Sequence, residues 1–340
     1  MSDLPKIGMD IGATSIKLCE LAPVGREKWK LLAAASVATP VGGVMGGSGN
    51  VVAIVQSIAR VIKEAGIRSR KVIAALPEEQ VSSHVVEMPD MSDDEVRQAL
   101  QWQVEQYIPI PADRAVWSHQ IISRDKNSGG MEVLLVAAAK NLVEQYTNVL
   151  EQAGLEVVAL ETQLMAVARA LVPAGGPLAV LLDMGARSAN IGVVAAGQLV
   201  FARTVPTGGD ALTRAIEVGL GLDHTQAEQY RNAYGFAADK LEGKVAAVLS
   251  PILNQIAGEI KKTIDFYSSK HSGDKVQSII LSGGVTTLPQ FISNLSAAVG
   301  VEVMEGNPFL RVIMNQNQSK ALSGAGPVYV EAVGLAMRAI

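Results

Sequence analysis

Residues 180–191, VLLDMGARSANI, align without a gap on residues 7–18, IGMDIGATSIKL. Asp183 falls on Asp10, Gly185 on Gly12, Ala186 on Ala13 and Ser188 on Ser15, with apolar residues matching around them. Each copy alternates apolar and polar positions on either side of a small-residue turn, which is the pattern of strand, tight turn, strand. Such a repeat constrains the fold more than any single motif, because the chain must build one unit twice. Each unit also ends a buried strand on a carboxylate beside backbone N–H groups and hydroxyls. That set suits a metal–phosphate: the donors cradle phosphate oxygens while the carboxylate holds the cation's waters. One copy alone reads equally well as an ordinary hairpin with an aspartate at its turn. Two copies facing each other can grip one polyphosphate from both sides.

At 340 residues the chain can hold two domains with sizeable cores. Hydrophobic residues at 49% against 18% charged argue for a folded α/β protein and against disorder. With 29 basic and 33 acidic residues, nothing points to nucleic acid. The single cysteine, Cys19, can form no internal disulfide, which suits a reducing compartment. The start, MSDLPKIG, lacks the layout of a signal peptide, and no apolar run reaches the roughly 18 residues of a membrane span. The expectation is a soluble, cytoplasmic protein.

Residues 29–39 predict a third strand. The glycine-rich run 42–50, GGVMGGSGN, lacks the Lys-Ser/Thr pair of a P-loop and reads as a connector. Residues 51–65 carry apolar positions at helical spacing, and 71–77 form a buried strand after Arg68, Arg70 and Lys71, a solvated loop. From 78 to 150 the pattern is strand, helix, strand, strand, helix: a compact α+β module, with a capping box at Ser92 and Glu95 and a loop over 123–131. Trp102, Tyr107 and Trp117 lie in it, as core of the module or as an exposed partner groove. A strand over 155–160 and a helix over 161–171, ETQLMAVARAL, precede the second hairpin. Gly208-Gly209 opens a helical region. It reads either as free N–H groups and a positive dipole end for an anion, or as an ordinary cap. In the long helix over 245–269, Ile252, Ile256, Ile260 and Ile264 face the core, while Glu259 and Lys262 share another face. A strand over 276–281 ends in Ser282-Gly283-Gly284-Val285, and an apolar helix closes the chain from 327. The four histidines show no metal-ligand spacing.

In order, DIGATSIK, ETQLMAVARA, LLDMGARSANI, ILSGGVTTLPQF and the small-residue C-terminal helix resemble the actin-like ATPase superfamily. They match its first phosphate hairpin, first connecting helix, second phosphate hairpin, adenosine motif and second connecting helix. Within it, the α+β insertion, the run EIKKTIDFY (259–267) and IGMDIGATSIKLCEL resemble the PilM family of type IV pilus assembly. The resemblance implies an α/β fold: an actin-like, ribonuclease H-like duplicated, two-lobed ATPase architecture with an inserted SHS2-like α+β subdomain. Its first lobe would be 1–77 with 151–178 and 325–340, the insertion 78–150, and the second lobe 179–324 with a helical part near 208–272.

The resemblance also implies roles. Asp10 and Asp183 would hold Mg²⁺ through water. Gly12, Ala13, Thr14, Ser15 and Lys17 would border the phosphates of ATP or ADP, with Gly185, Ala186 and Arg187 opposite. Gly208 and Gly209 would approach the phosphates, and Gly283, Gly284 and Val285 the ribose and adenine. Glu259 and Lys262 match helix positions that contact adenosine in related chaperones, and Glu161 matches a water-positioning residue of bacterial actins. The implied function is a cytoplasmic ATP-binding scaffold, at most a slow ATPase, peripheral to the inner membrane. It would dock the N-terminal cytoplasmic tail of a PilN-like membrane protein, with other platform proteins or self-association as further contacts. The alternatives are an FtsA-like division or filament protein and a sugar or acetate kinase of the same fold. No candidate catalytic Asp stands outside the two hairpins, which weighs against a kinase.

Overall fold

The computed structural model describes residues 4–125, 129–271 and 274–339. The first hairpin forms β1 (Lys6–Ile11) and β2 (Ser15–Gly25), followed by β3 (Lys28–Ala38), α1 (Ser48–Glu64) and β4 (Lys71–Leu76). Then come β5 (Val81–Pro89), α2 (Asp93–Tyr107), β6 (Ala115–Asp125), β7 (Gly130–Ala139) and α3 (Lys140–Gln152). The chain returns through β8 (Glu156–Thr162) and α4 (Gln163–Leu171) to the second hairpin, β9 (Ala179–Met184) and β10 (Ala189–Ala195). After it lie β11 (Gln198–Val205), α5 (Gly209–Leu220), α6 (His224–Tyr234), α7 (Lys244–Lys270), β12 (Ser278–Ser282), α8 (Phe291–Val299) and β13 (Val303–Glu305). The last elements are β14 (Val312–Ile313), α9 (Gln316–Ala321) and α10 (Gly326–Ala336).

The repeat becomes two equivalent sheets. One runs β14-β3-β2-β1-β4-β8 and the other β11-β10-β9-β12-β13. In each, the hairpin supplies the antiparallel half, and the strand after a crossover joins parallel to the hairpin's first strand. β1 and β9 are therefore central and buried along their whole length. That is why both read as nearly continuous apolar runs up to their aspartates.

Between the lobes, α4 and α10 pack closely on each other. A Cβ on Gly334 would stand 1.9 Å from the Ala166 carbonyl oxygen, so only glycine lets the helices meet. The expectation that the small-residue terminal helix packs against another helix is met here. Glu161, expected to open the first connecting helix, instead lies at the end of β8. The helix starts two residues later, capped by the Thr162 hydroxyl, which accepts from Met165 N–H at 3.2 Å.

The insertion folds as the three-stranded sheet β5-β7-β6 with α2 across it. Val86, Val96, Leu100, Val104 and Val133 form its core. The predicted capping box is present at Ser92 and Glu95. α3, read from the sequence as part of this module, packs elsewhere. Its Leu142, Tyr146, Val149 and Leu150 join Ile54, Ile58 and Ile62 of α1 in the first lobe's core. The helix is amphipathic, and the first lobe offers the larger apolar face to cover its stripe. Of the three aromatics, Tyr107 and Trp117 are half-buried against the module, whereas Trp102 is 86% exposed. Of the expected loop over 123–131, residues 126–128 lie outside the described residues.

Candidate functional site

The two hairpin turns face each other across a cleft of about 410 Å³ between the lobes. The turns have the same internal geometry. Gly12 N–H donates to the Ser15 carbonyl at 3.1 Å, and Gly185 N–H donates to the Ser188 carbonyl at 3.0 Å. The first turn is tied down just past β3, where the Thr39 hydroxyl donates to the Gly12 carbonyl at 2.7 Å. Asp10, Gly12, Ala13, Thr14, Ser15 and Lys17 line one wall; Asp183, Gly185, Ala186 and Arg187 line the other. Gly209, Gly283, Gly284 and Val285 also line it. The structure thus brings most of the sequence-predicted binding residues to one place.

Four do not reach it as expected. Gly208 lies behind the second turn, packed so closely that a Cβ would stand 2.5 Å from the Ala186 carbonyl oxygen. The first N–H groups of α5 are not free for an anion. Gly209 N–H donates to the Gly185 carbonyl at 2.9 Å and Asp210 N–H to the Ala186 carbonyl at 2.8 Å, so this helix end serves to brace the hairpin. Glu259 and Lys262 are away from the cleft lining: Glu259 pairs with Lys262 at 2.8 Å and with Arg203 of β11 at 2.5 Å. Glu161 is buried outside the cleft, held by Arg169 at 2.6 and 2.8 Å and by Arg338 at 3.0 Å. A carboxylate saturated by two guanidinium groups is a structural clamp between β8, α4 and the C-terminal helix region, and cannot orient water.

Several cleft residues escaped sequence reading. Glu331 of α10 lines the cleft. So do Gln163, the first residue of α4, Tyr146 of α3, Arg231 of α6, and residues 42–45 of the glycine-rich run read as a connector. Glu331 had a signal, being the one charged residue in GPVYVEAVGLA. Gln163 sits beside Glu161, on which the family pattern had drawn attention.

Electrostatics follow from crowding carboxylates in a buried space. Lys17 Nζ lies 2.9 Å from Asp10 Oδ2. Burial disfavours its charge, but Asp10, then Glu331 and Asp183, outweigh that and hold the ammonium above its usual pKa. Burial, first, lifts Asp183 above the usual carboxylate range despite the Ser282 hydroxyl donating to it at 2.6 Å. Burial, then Asp10 and Asp183, lifts Glu331 well above it. Burial and mutual proximity therefore push both Asp183 and Glu331 in the same direction, toward holding protons more tightly than free carboxylates. Below them, Glu78 accepts from Leu164 N–H at 3.0 Å at the start of α4, and burial pushes its pKa up to about 7.

Comparison with known proteins matches this arrangement. The family profile "Type IV pilus assembly protein PilM" matches residues 8–340. The chain superposes on the structure described as a PilM-PilN type IV pilus biogenesis complex with a TM-score of 0.84. Sequence identity is 27%, and the match covers 98% of each chain. The ethanolamine utilization protein EutJ of Carboxydothermus hydrogenoformans shares the fold at a TM-score of 0.61 and 17% identity, over 99% of this chain and 90% of that one. MreB5 of Spiroplasma citri, solved bound to AMPPNP, does so at 0.53 and 11%, over 97% and 94%. Cell division protein FtsA of Enterococcus hirae is 22% identical over 87% of this chain and 77% of its own length. The match to FtsA of Bacillus subtilis (strain 168), 31% identical, takes in 32% of this chain and only 25% of that protein. Among the described residues no helix is long and apolar enough to cross a membrane. The fold is that of the actin-like ATPases, and the chain belongs to the type IV pilus assembly protein PilM family.

Proposed function

We propose that this protein is a nucleotide-binding scaffold of the type IV pilus assembly platform. It binds ATP or ADP with Mg²⁺ between its two hairpins and docks the N-terminal tail of a PilN-like inner-membrane protein on its cytoplasmic side. The observation that carries the reading is the near-complete superposition on the protein of a PilM-PilN complex. The cleft supports it. Its paired turns offer backbone donors, Lys17 and Arg187 offer positive charge for phosphates, and Asp10 and Asp183 offer carboxylates that could hold a cation's waters. Glu161 is paired with two arginines, and this supports a scaffold whose nucleotide fixes the lobes in one orientation.

Fluorescence anisotropy with a labelled N-terminal tail of a PilN-like protein tests the docking, with and without Mg·ATP. Saturable binding that changes with nucleotide is expected. A dissociation constant weaker than about 1 mM, roughly 4 kcal/mol, in both conditions would refute it.

A further inference from the structure

Glu331 touches two functional groups of the cleft at once. Its Oε2 accepts a hydrogen bond from Gln163 Nε2 at 3.0 Å, and its buried carboxyl lies close enough to Asp183 to feel that charge. The other end of the Gln163 carboxamide is engaged as well: Oε1 accepts from the Glu78 backbone N–H at 2.9 Å and, at 3.5 Å, from Asn190 Nδ2. Gln163 is therefore pinned at both ends of its amide. An uncharged carboxamide can donate to one neighbour and accept from another, the capacity required to orient a water for attack on a phosphate. In that reaction the water oxygen bonds to the terminal phosphorus as the bond to the bridging oxygen breaks, and the water's proton passes to the released phosphate.

Neither partner can drift away. Gln163 is fixed at the capped start of α4. Glu331 is fixed on α10, which is buried against α4 through Gly334 and tied to the second lobe where Gly283 N–H donates to the Pro327 carbonyl at 3.0 Å. We propose that Glu331 is a positioning residue that restrains Gln163, keeping its carboxamide off any water at the terminal phosphate and so keeping turnover slow. The inference rests on the nucleotide reading of the cleft. It adds that the C-terminal helix contributes to a low rate by holding the donor end of Gln163, a residue two positions from the clamped Glu161.

The test uses the full chain carrying Glu331→Ala and, because a cavity in α10 can cost folding, Glu331→Met as a second, space-filling variant. Three readouts are taken: ATP affinity by anisotropy of a fluorescent analogue, steady-state phosphate release, and exchange of the Gln163 side-chain amide protons in nucleotide-free protein labelled with ¹⁵N-glutamine. The signal is assigned by its loss in Gln163→Ala. Both variants are expected to raise kcat on the order of tenfold, the worth of one oriented hydrogen bond, with KM unchanged or lower. They are also expected to speed amide exchange, and the double variant with Gln163→Ala should return to the wild-type rate. An unchanged rate and unchanged exchange in variants that bind ATP would overturn the restraint, as would a raised rate that survives in the double variant. Failure of the wild-type protein to bind ATP at all would instead overturn the nucleotide reading, and the restraint with it.

Discussion

Lys17 stands directly across the first hairpin from Asp10, and its ammonium closes on the Asp10 carboxylate at 2.9 Å. The equivalent pair in the second hairpin is Asn190 across from Asp183. The duplicated turns are thus chemically unequal: one carboxylate is answered by a cation and the other by the Ser282 hydroxyl, while the Asn190 amide turns to Gln163 and Thr204. Asp183 also lies near the buried Glu331 carboxyl, whose proton affinity its charge raises. The first hairpin thus carries its own counter-cation, whereas in the second, burial raises the proton affinity of Asp183.

Replacing Asp10 tests the metal–phosphate role of that asymmetry. Asp10→Ala should weaken Mg·ATP binding by roughly 1–3 kcal/mol, the cost of losing one hydrogen-bonded charge in a buried site. Titration calorimetry in Mg²⁺ should show the loss. In EDTA the difference between wild type and variant should largely vanish, because the carboxylate acts on the cation. Equal affinities in Mg²⁺ would contradict the assignment.

Glu161→Ala should act on stability. Removing the carboxylate leaves Arg169 and Arg338 partly buried without their shared partner, which costs about 3–5 kcal/mol when a buried pair is broken from one side. The urea midpoint should fall accordingly. Phosphate release by the protein that remains folded should not change.

Glu78 makes stability depend on pH. Its native pKa, near 7, stands above the ordinary 4.5, because burial penalises the carboxylate. A carboxyl raised in this way binds its proton more tightly when folded. Its contribution is present below about pH 4.5 and is lost as the pH rises through 7. Between pH 5 and 8 the wild type should lose roughly 3 kcal/mol more unfolding free energy than Glu78→Gln. Denaturant titrations of both proteins at the two pH values decide it, and parallel curves would count against a raised pKa.

Gly334→Ala should be costly despite its small size. The new methyl would meet the Ala166 carbonyl oxygen at 1.9 Å, so α4 and α10 must part. A loss of about 2 kcal/mol or more is expected from such overpacking. Gly258→Ala provides the control. A Cβ there meets no atom within 4 Å, and alanine is the better helix former, so its urea midpoint should hold or rise.

The sequence by itself determined the duplicated sheet and the two hairpin turns. Period-2 patterning around Asp10 and Asp183 is a local signal, and each turn closes on itself through Gly12 and Ser15, or Gly185 and Ser188. The capping box at Ser92 and the isoleucine stripe of α7 were legible for the same reason, since each depends on neighbours a few residues away. Tertiary structure alone decided what joined the turns. Glu331 meets Gln163 across 168 residues of chain, and Arg338 meets Glu161 across 177. Whether Glu161 faced the cleft or a pair of arginines turned on where β8 ends and α4 begins, a boundary of two residues that helical periodicity does not fix. Likewise α3 and the glycine-rich run reached the cleft because the first lobe's core drew α3 and α1 together. Hydrophobic burial does not respect the order of the chain: it gave Tyr146 to the first lobe and brought residues 42–45 to the cleft wall, contacts that no spacing in the sequence encodes.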